Sequence, residues 1–291
     1  MTIAQRLLLL AFLGITLCFP SAAQVPSAAP ATGTQKQAGR LREGEFFSQA
    51  LQRRMKYRVL LPTSYKSGTQ RYPVLYLLHG LHGSYENWTN LTKVEQYSAK
   101  LDYIIAMPDA NNSWYTNYYK DPRNSYEDYI IRDFIMEIER QFRTIPDRED
   151  RVIAGLSMGG YAAMKFAIKY PQLFRLAGSF SGALNAPAEL ASQKPEFTEQ
   201  LNKVYGPADS TTRSENDVFK IAGEMLPPTA PYLYLDCGTA DYFMTTNREF
   251  TALLHSKKFA YEYHELPGGH NWSFWDQRIR YLLDNVLTAQ R

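Results

Sequence analysis

The chain has 291 residues, room for one large domain or two small ones, and 45% of them are hydrophobic, enough for a packed core. Its 32 Lys and Arg against 29 Asp and Glu leave a net charge of +3. The charges are interspersed, so no basic run marks a nucleic-acid-binding face and no nucleic-acid partner is expected.

Residues 1–23 read as a secretory signal peptide. Residues 1–6 carry one positive charge, 7–19 are almost wholly apolar, and 20–23 supply small residues for cleavage after Ala23. The apolar run is shorter than the roughly 20 residues of a membrane span, and the alternative reading is an uncleaved anchor. A secreted or periplasmic protein is expected, with no stable membrane insertion after cleavage. Leu17 before Cys18 lacks the small side chain of a lipoprotein signal. Cleavage leaves Cys237 as the only cysteine, so the mature chain has no internal disulfide. Residues 24–40, rich in Ala, Pro, Gly, Ser, Thr and Gln, read as a flexible linker, and 41–291 as the folded domain.

The domain opens with an expected strand pair, 46–51 and 55–61. In the second, Met55, Tyr57, Val59 and Leu61 alternate with polar residues, as on a half-exposed edge. Continuous apolar runs at 74–78 and 103–107 fit central parallel strands covered on both faces; 152–154, 176–180 and 232–235 read as further strands, and 261–266 adds a last one. Helical spacing places Ile130, Phe134, Ile138 and Phe142 on one side of 126–142. Further helices are expected at 161–170 and 273–287. This alternation predicts an α/β fold with a mostly parallel central sheet and helices on both faces. The polar segment 184–226, after the sixth strand, reads as an insertion, either a lid over the strand ends or a solvated excursion.

Within this framework Gly155, Ser157 and Gly159 form a G-x-S-x-G turn between a buried strand and a helix, the pattern of a nucleophile elbow. A serine in such a turn projects its hydroxyl away from the backbone, and the neighbours two residues away come too close for side chains. The alternative is a plain Gly/Ser turn opening a helix. An activated serine also requires a base, an acid to orient it, and amide donors for an oxyanion. Of five histidines, His79 ends a strand, His82 follows it, His255 lies in a helical stretch and His264 lies inside a strand. His270 follows the last strand after two glycines, and it comes last in the order Ser, Asp, His. The strand end at 236–241 offers two carboxylates. Asp241, past a glycine turn, suits the orienting acid and can also cap the next helix; Asp236 suits a structural partner of loop amides. The amide of Met158 and that of Leu81, after Gly80, are the expected oxyanion donors, with His79 tying down their loop.

These motifs together resemble the esterase D-like group of α/β-hydrolases, which includes tributyrin-type esterases, feruloyl and acetyl esterases, S-formylglutathione hydrolases and mycolyltransferases. The resemblance rests on Leu77-Leu78-His79-Gly80-Leu81-His82-Gly83, Trp88, Met107-Pro108-Asp109, Ser113-Trp114-Tyr115 and the elbow through Tyr161. Asp236-Cys237-Gly238-Thr239-Ala240-Asp241 and Gly269-His270-Asn271-Trp272-Ser273-Phe274-Trp275 complete it. It implies an α/β-hydrolase fold with Ser157, Asp241 and His270 as the triad and Leu81 and Met158 at the oxyanion hole. Ser113-Trp114-Tyr115 and the elbow are similar to those of the tributyrin-type esterases. The exported start and the lack of a cysteine in the oxyanion loop speak against a cytosolic S-formylglutathione hydrolase.

Loops at the carboxyl ends of strands build the pocket in such folds, so Trp114, Tyr115, Tyr118 and Tyr119 are candidate substrate contacts that could stack on a phenolic acid or a sugar. Trp88 and Trp275 read as loop packing. No metal or cofactor is implied, because Asp, His and Cys do not cluster at ligand spacings. The expected partner is a small-molecule or carbohydrate-linked ester. The leading reading is a serine esterase; an acyltransferase uses the same residues with an alcohol acceptor, and a non-catalytic binding module is a third reading that an intact triad opposes.

Overall fold

The computed structural model describes residues 36–188 and 195–290; the expected signal peptide and most of the expected linker lie outside them. Nine strands form one sheet: β1 (Lys36–Ala38), β2 (Leu41–Ser48), β3 (Arg53–Leu60), β4 (Val74–Leu78), β5 (Ile104–Pro108), β6 (Arg151–Leu156), β7 (Leu176–Phe180), β8 (Tyr232–Gly238) and β9 (Tyr261–Leu266). Their order is β1-β2-β3-β5-β4-β6-β7-β8-β9. The first three strands run antiparallel and β3 joins β5 antiparallel; from β5 to β9 every pairing is parallel. The α/β expectation holds.

β4 shows why continuous apolar runs become central strands. All five of its residues are buried: Val74, Tyr76 and Leu78 enter one core, Leu75 and Leu77 the other. Each such side chain contributes about 1.5–3 kcal/mol when fully buried, and only a strand covered on both faces gains this at every position. The helices that cover the sheet and carry the site are α1 (Asn87–Leu91), α2 (Ile135–Gln141), α3 (Met158–Lys169), α4 (Pro195–Tyr205), α5 (Thr211–Asn216), α6 (Val218–Glu224), α7 (Met244–Ser256) and α8 (Trp272–Tyr281).

Three local differences have physical causes. The opening hairpin sits earlier than expected, with β2 at Leu41–Ser48 instead of 46–51, because the polar start of β2 is held by its backbone ladder to β3. Gly44 there lies against the Tyr57 ring, where a Cβ would come within 2.3 Å. The strand β1 lies inside the segment expected as linker and makes the strand before the 184–226 segment the seventh. Finally, the expected helix over 126–142 contains a π-helical stretch, Tyr129–Phe134, yet Ile130, Phe134, Ile138 and Phe142 are all buried as their spacing predicts.

The described parts of the 184–226 segment, 184–188 and 195–226, pack onto the core. Leu184, Ala186, Leu201, Val204, Tyr205, Val218 and Ala222 join the main core. Buried Arg213 binds the carbonyls of Gly206, Pro207 and Pro187 and the Asn202 amide oxygen. Among the described residues no helix is long and apolar enough to cross a membrane.

Candidate active site

The direction of winding reverses at β4, whose neighbours β5 and β6 lie on opposite sides, and such a reversal opens a crevice at the carboxyl ends of the strands. The site is built there. Ser157, between β6 and α3, has φ 52° and ψ −116°, a backbone state that costs a serine about 1–3 kcal/mol. Its amide donates to Phe180 O (2.9 Å), and its carbonyl accepts from Tyr161 N (2.9 Å) and Ala183 N (3.2 Å). The flanking glycines are steric necessities: a Cβ on Gly155 would lie 2.5 Å from the Gly159 carbonyl carbon, and one on Gly159 would lie 2.6 Å from Leu78 O.

His270 meets this serine. Its Nε2 is 3.0 Å from Ser157 Oγ and its Nδ1 is 2.9 Å from Asp241 Oδ2. Nδ1–H therefore donates to the carboxylate and Nε2 is free to accept the serine proton. Asp241 is buried, and its other oxygen accepts Phe243 N–H at 2.9 Å, so one carboxylate orients the imidazole and fixes the approach to α7. Burial alone would raise its pKa, but the hydrogen bonds from His270 and Phe243 outweigh it and hold the carboxyl below its ordinary value. Glycines bring the two loops together: a Cβ on Gly238 would lie 2.4 Å from Gly268 O, and that carbonyl accepts Ala240 N–H at 2.8 Å.

Asp236 has a different partner from the loop amides expected. It is buried beside Arg278 of α8 (Nε to Oδ2, 2.8 Å) and the Tyr234 hydroxyl (2.8 Å). Burial raises its pKa to about 6 against the opposing Arg278 charge. His264 pairs with Glu262 (2.5 Å) and His255 lies on α7, neither lining the cleft.

The loop after β4 faces the nucleophile: a Cβ on Gly80 would lie 3.4 Å from Ser157 Cβ. Among the described residues, nothing accepts the amide protons of Leu81 or Met158. His79 fastens this loop. Its Nδ1–H donates to Gly80 O (2.7 Å), its Nε2 accepts Ala110 N–H (3.0 Å), and its carbonyl accepts the Tyr115 hydroxyl (3.1 Å). Burial lowers the His79 pKa against the opposing Gly80 hydrogen bond and Asp109 charge. Three residues on from His79, Asn112 Oδ1 accepts His82 N–H at 2.7 Å.

Ser157 and His270 open into a cleft of about 1110 Å³. Of the four aromatic residues expected in it, only Trp114 lines it. Tyr115 is turned into the core by consecutive left-handed residues, Trp114 (φ 55°) and Tyr115 (φ 51°). Tyr118 packs on Tyr126, and Tyr119 packs against Gly206. None of these three lines the cleft. Trp88 is buried beneath the site with Nε1–H on Leu78 O (3.0 Å), as expected of a packing residue. Trp275, expected only to pack, also lines the cleft, with its ring perpendicular to His270 at 4.9 Å. Phe197, Tyr242, Phe243 and Trp272 complete an aromatic lining that the sequence reading missed. For three of them the signal was adjacency: Tyr242-Phe243 directly follow Asp241, and Trp272 follows His270 by two. Among the described residues, no Asp, Glu, Lys or Arg lines the cleft.

A parallel sheet of this order, with serine, histidine and aspartate on the loops after β6, β9 and β8, defines an α/β-hydrolase. A family model described as "Putative esterase" matches residues 48–283, and the chain belongs to this esterase family, as its motifs imply. An acetyl esterase of Caldicellulosiruptor saccharolyticus is 28% identical, over 70% of this chain and 79% of that protein. Esterase Rv1288 of Mycobacterium tuberculosis is 30% identical over 80% of this chain, which spans 56% of that protein. In three dimensions the chain is similar to FphF, a fluorophosphonate-binding serine hydrolase of Staphylococcus aureus, with a TM-score of 0.76 and 25% identity over 84% of this chain and 96% of that one. Fold, family and relatives together make this chain a carboxylic-ester hydrolase.

Proposed function

We propose that this protein is an exported serine esterase that cleaves uncharged carboxylic esters through an acyl-enzyme on Ser157. The observation that carries the reading is the unbroken hydrogen-bond chain from Asp241 through His270 to Ser157 Oγ at the floor of the cleft. Ser157 Oγ attacks the acyl carbon as His270 Nε2 takes its proton, and Asp241 stabilises the imidazolium that forms. The free amides of Leu81 and Met158 receive the developing oxyanion; such a donor is worth roughly a hundredfold to a thousandfold in rate. His270 then protonates the departing alcohol, and a water activated by the same nitrogen resolves the acyl-enzyme.

The lack of charged side chains among the described lining residues supports an uncharged substrate, since a buried ionic group would be desolvated there without a partner. Export is supported by the apolar run at 7–19 and the small residues at 20–23. In the test, the purified protein hydrolyses p-nitrophenyl acetate and is labelled by a fluorophosphonate, and Ser157→Ala loses both while keeping its circular dichroism spectrum. Turnover by Ser157→Ala at the wild-type rate would sink the reading.

A further inference from the structure

Among the described residues five large hydrophobic side chains are exposed, and two of them, Leu91 and Tyr242, line the catalytic cleft. Tyr242 is 70% exposed, yet one side of its ring is held against His270, with centroids 4.4 Å apart and planes at 39°. Phe243 supports it at 4.6 Å. Its backbone is fixed from both sides, since Asp241 before it binds His270 and Phe243 N–H after it binds Asp241. A fixed aromatic ring with one covered and one open face is a stacking surface, and covering that face removes apolar area from water and adds ring-stacking attraction.

Its place relative to the reacting atoms decides what it can cover. The alcohol oxygen of the ester must come within about 3 Å of His270 Nε2 to receive its proton. The group carried by that oxygen is then within reach of the rings packed on His270. We propose that Tyr242 is the platform for the alcohol portion of the substrate, and that this portion carries an uncharged six-membered ring, aryl or pyranose. The inference rests on the esterase reading above. A methyl or ethyl group is too small to cover the open face; a ring of either kind presents a matching one, through π-stacking or through C–H bonds over the aromatic face. By microscopic reversibility the same face would seat a ring-bearing acceptor alcohol in acyl transfer.

The test compares wild type, Tyr242→Ala and Tyr242→Phe on acetates of one acyl group with methyl, cyclohexyl, phenyl and glucopyranosyl alcohols. Each variant is scored against wild type on the same ester, so intrinsic leaving-group reactivity cancels. For Tyr242→Ala the kcat/KM ratio of ring-bearing to methyl acetate falls about tenfold, while Tyr242→Phe, which keeps the ring face, retains it. The arm that falls furthest, phenyl or pyranosyl, identifies the natural ring. The decay of the acetyl-enzyme falls less than acylation, because water has replaced the alcohol at that step. An equal loss on all four esters and in acetyl-enzyme decay would overturn the proposal and leave Tyr242 as a support for His270; no loss on any ester would overturn it as well. Failure of wild-type Ser157 to be phosphonylated would instead overturn the esterase reading, and this inference with it.

Discussion

Asp241 faces two donors with its two oxygens, His270 Nδ1–H and Phe243 N–H. Asp241→Asn keeps the shape and can still satisfy one of them, but an amide NH2 placed toward the ring would favour the tautomer with its proton on Nε2, where the serine proton must go. The expected result is a fall in kcat of a thousandfold or more with little change in folding, read by steady-state kinetics and thermal unfolding. The meeting of Ser157, His270 and Asp241 was legible in the sequence because each is placed by local chemistry: glycine spacing, a strand end, or order along the chain. The lining was not. Tyr115 and Trp114 are neighbours, and only two left-handed backbone angles send one into the core and the other to the cleft. Phe197 and Gln200 reach the cleft from α4, far along the chain, which no local pattern announces.

The helix α3 does more than follow the nucleophile. Two turns beyond Ser157, fully buried Lys165 donates to Tyr115 O (2.7 Å), Thr116 Oγ1 (2.9 Å) and Asn216 Oδ1 (3.1 Å), so one ammonium ties α3 to the strained Trp114 turn and to the end of α5. Its charge is balanced by Glu127 at 3.0 Å, which also binds Lys169 (2.6 Å) and the Tyr170 hydroxyl (2.6 Å). Burial alone would raise the Glu127 pKa, but the two lysines pull it down to about 2. A carboxyl depressed on folding contributes stability that is complete above its unfolded value of about 4.3 and is lost as pH falls through the folded value. Urea midpoints should therefore fall steeply below about pH 4 in wild type. In Glu127→Gln that slope should be shallower, with a loss of about 3–5 kcal/mol already present at neutral pH from the uncompensated lysines. Equal slopes in the two proteins would show that Glu127 titrates as it does in the unfolded chain. At this scale the central strands and the helix over 126–142 were legible from apolar runs and spacing. The hairpin register was not, because the polar start of β2 is paired by backbone alone.

For the whole molecule, the parallel strands place the loops after β4, β6, β8 and β9 at the carboxyl end of the sheet, and this brings together residues as far apart as Leu81 and His270. That assembly was implied by alternating strands and helices, whereas the packing of the described parts of the 184–226 segment onto the core was not, since their apolar residues are scattered among polar ones. Export bears on the same scale: the protein recovered from outside the cytoplasm should begin at Gln24, as read by N-terminal sequencing, and an intact Met1 on the exported protein would contradict cleavage. The central claim is that the acyl group passes through Ser157, and intact-mass and peptide mass spectrometry on protein quenched during turnover of p-nitrophenyl acetate tests it most directly. An acetyl adduct on the peptide carrying Ser157, absent in Ser157→Ala, is the expected result; an adduct confined to another residue, or turnover that survives Ser157→Ala, would contradict it.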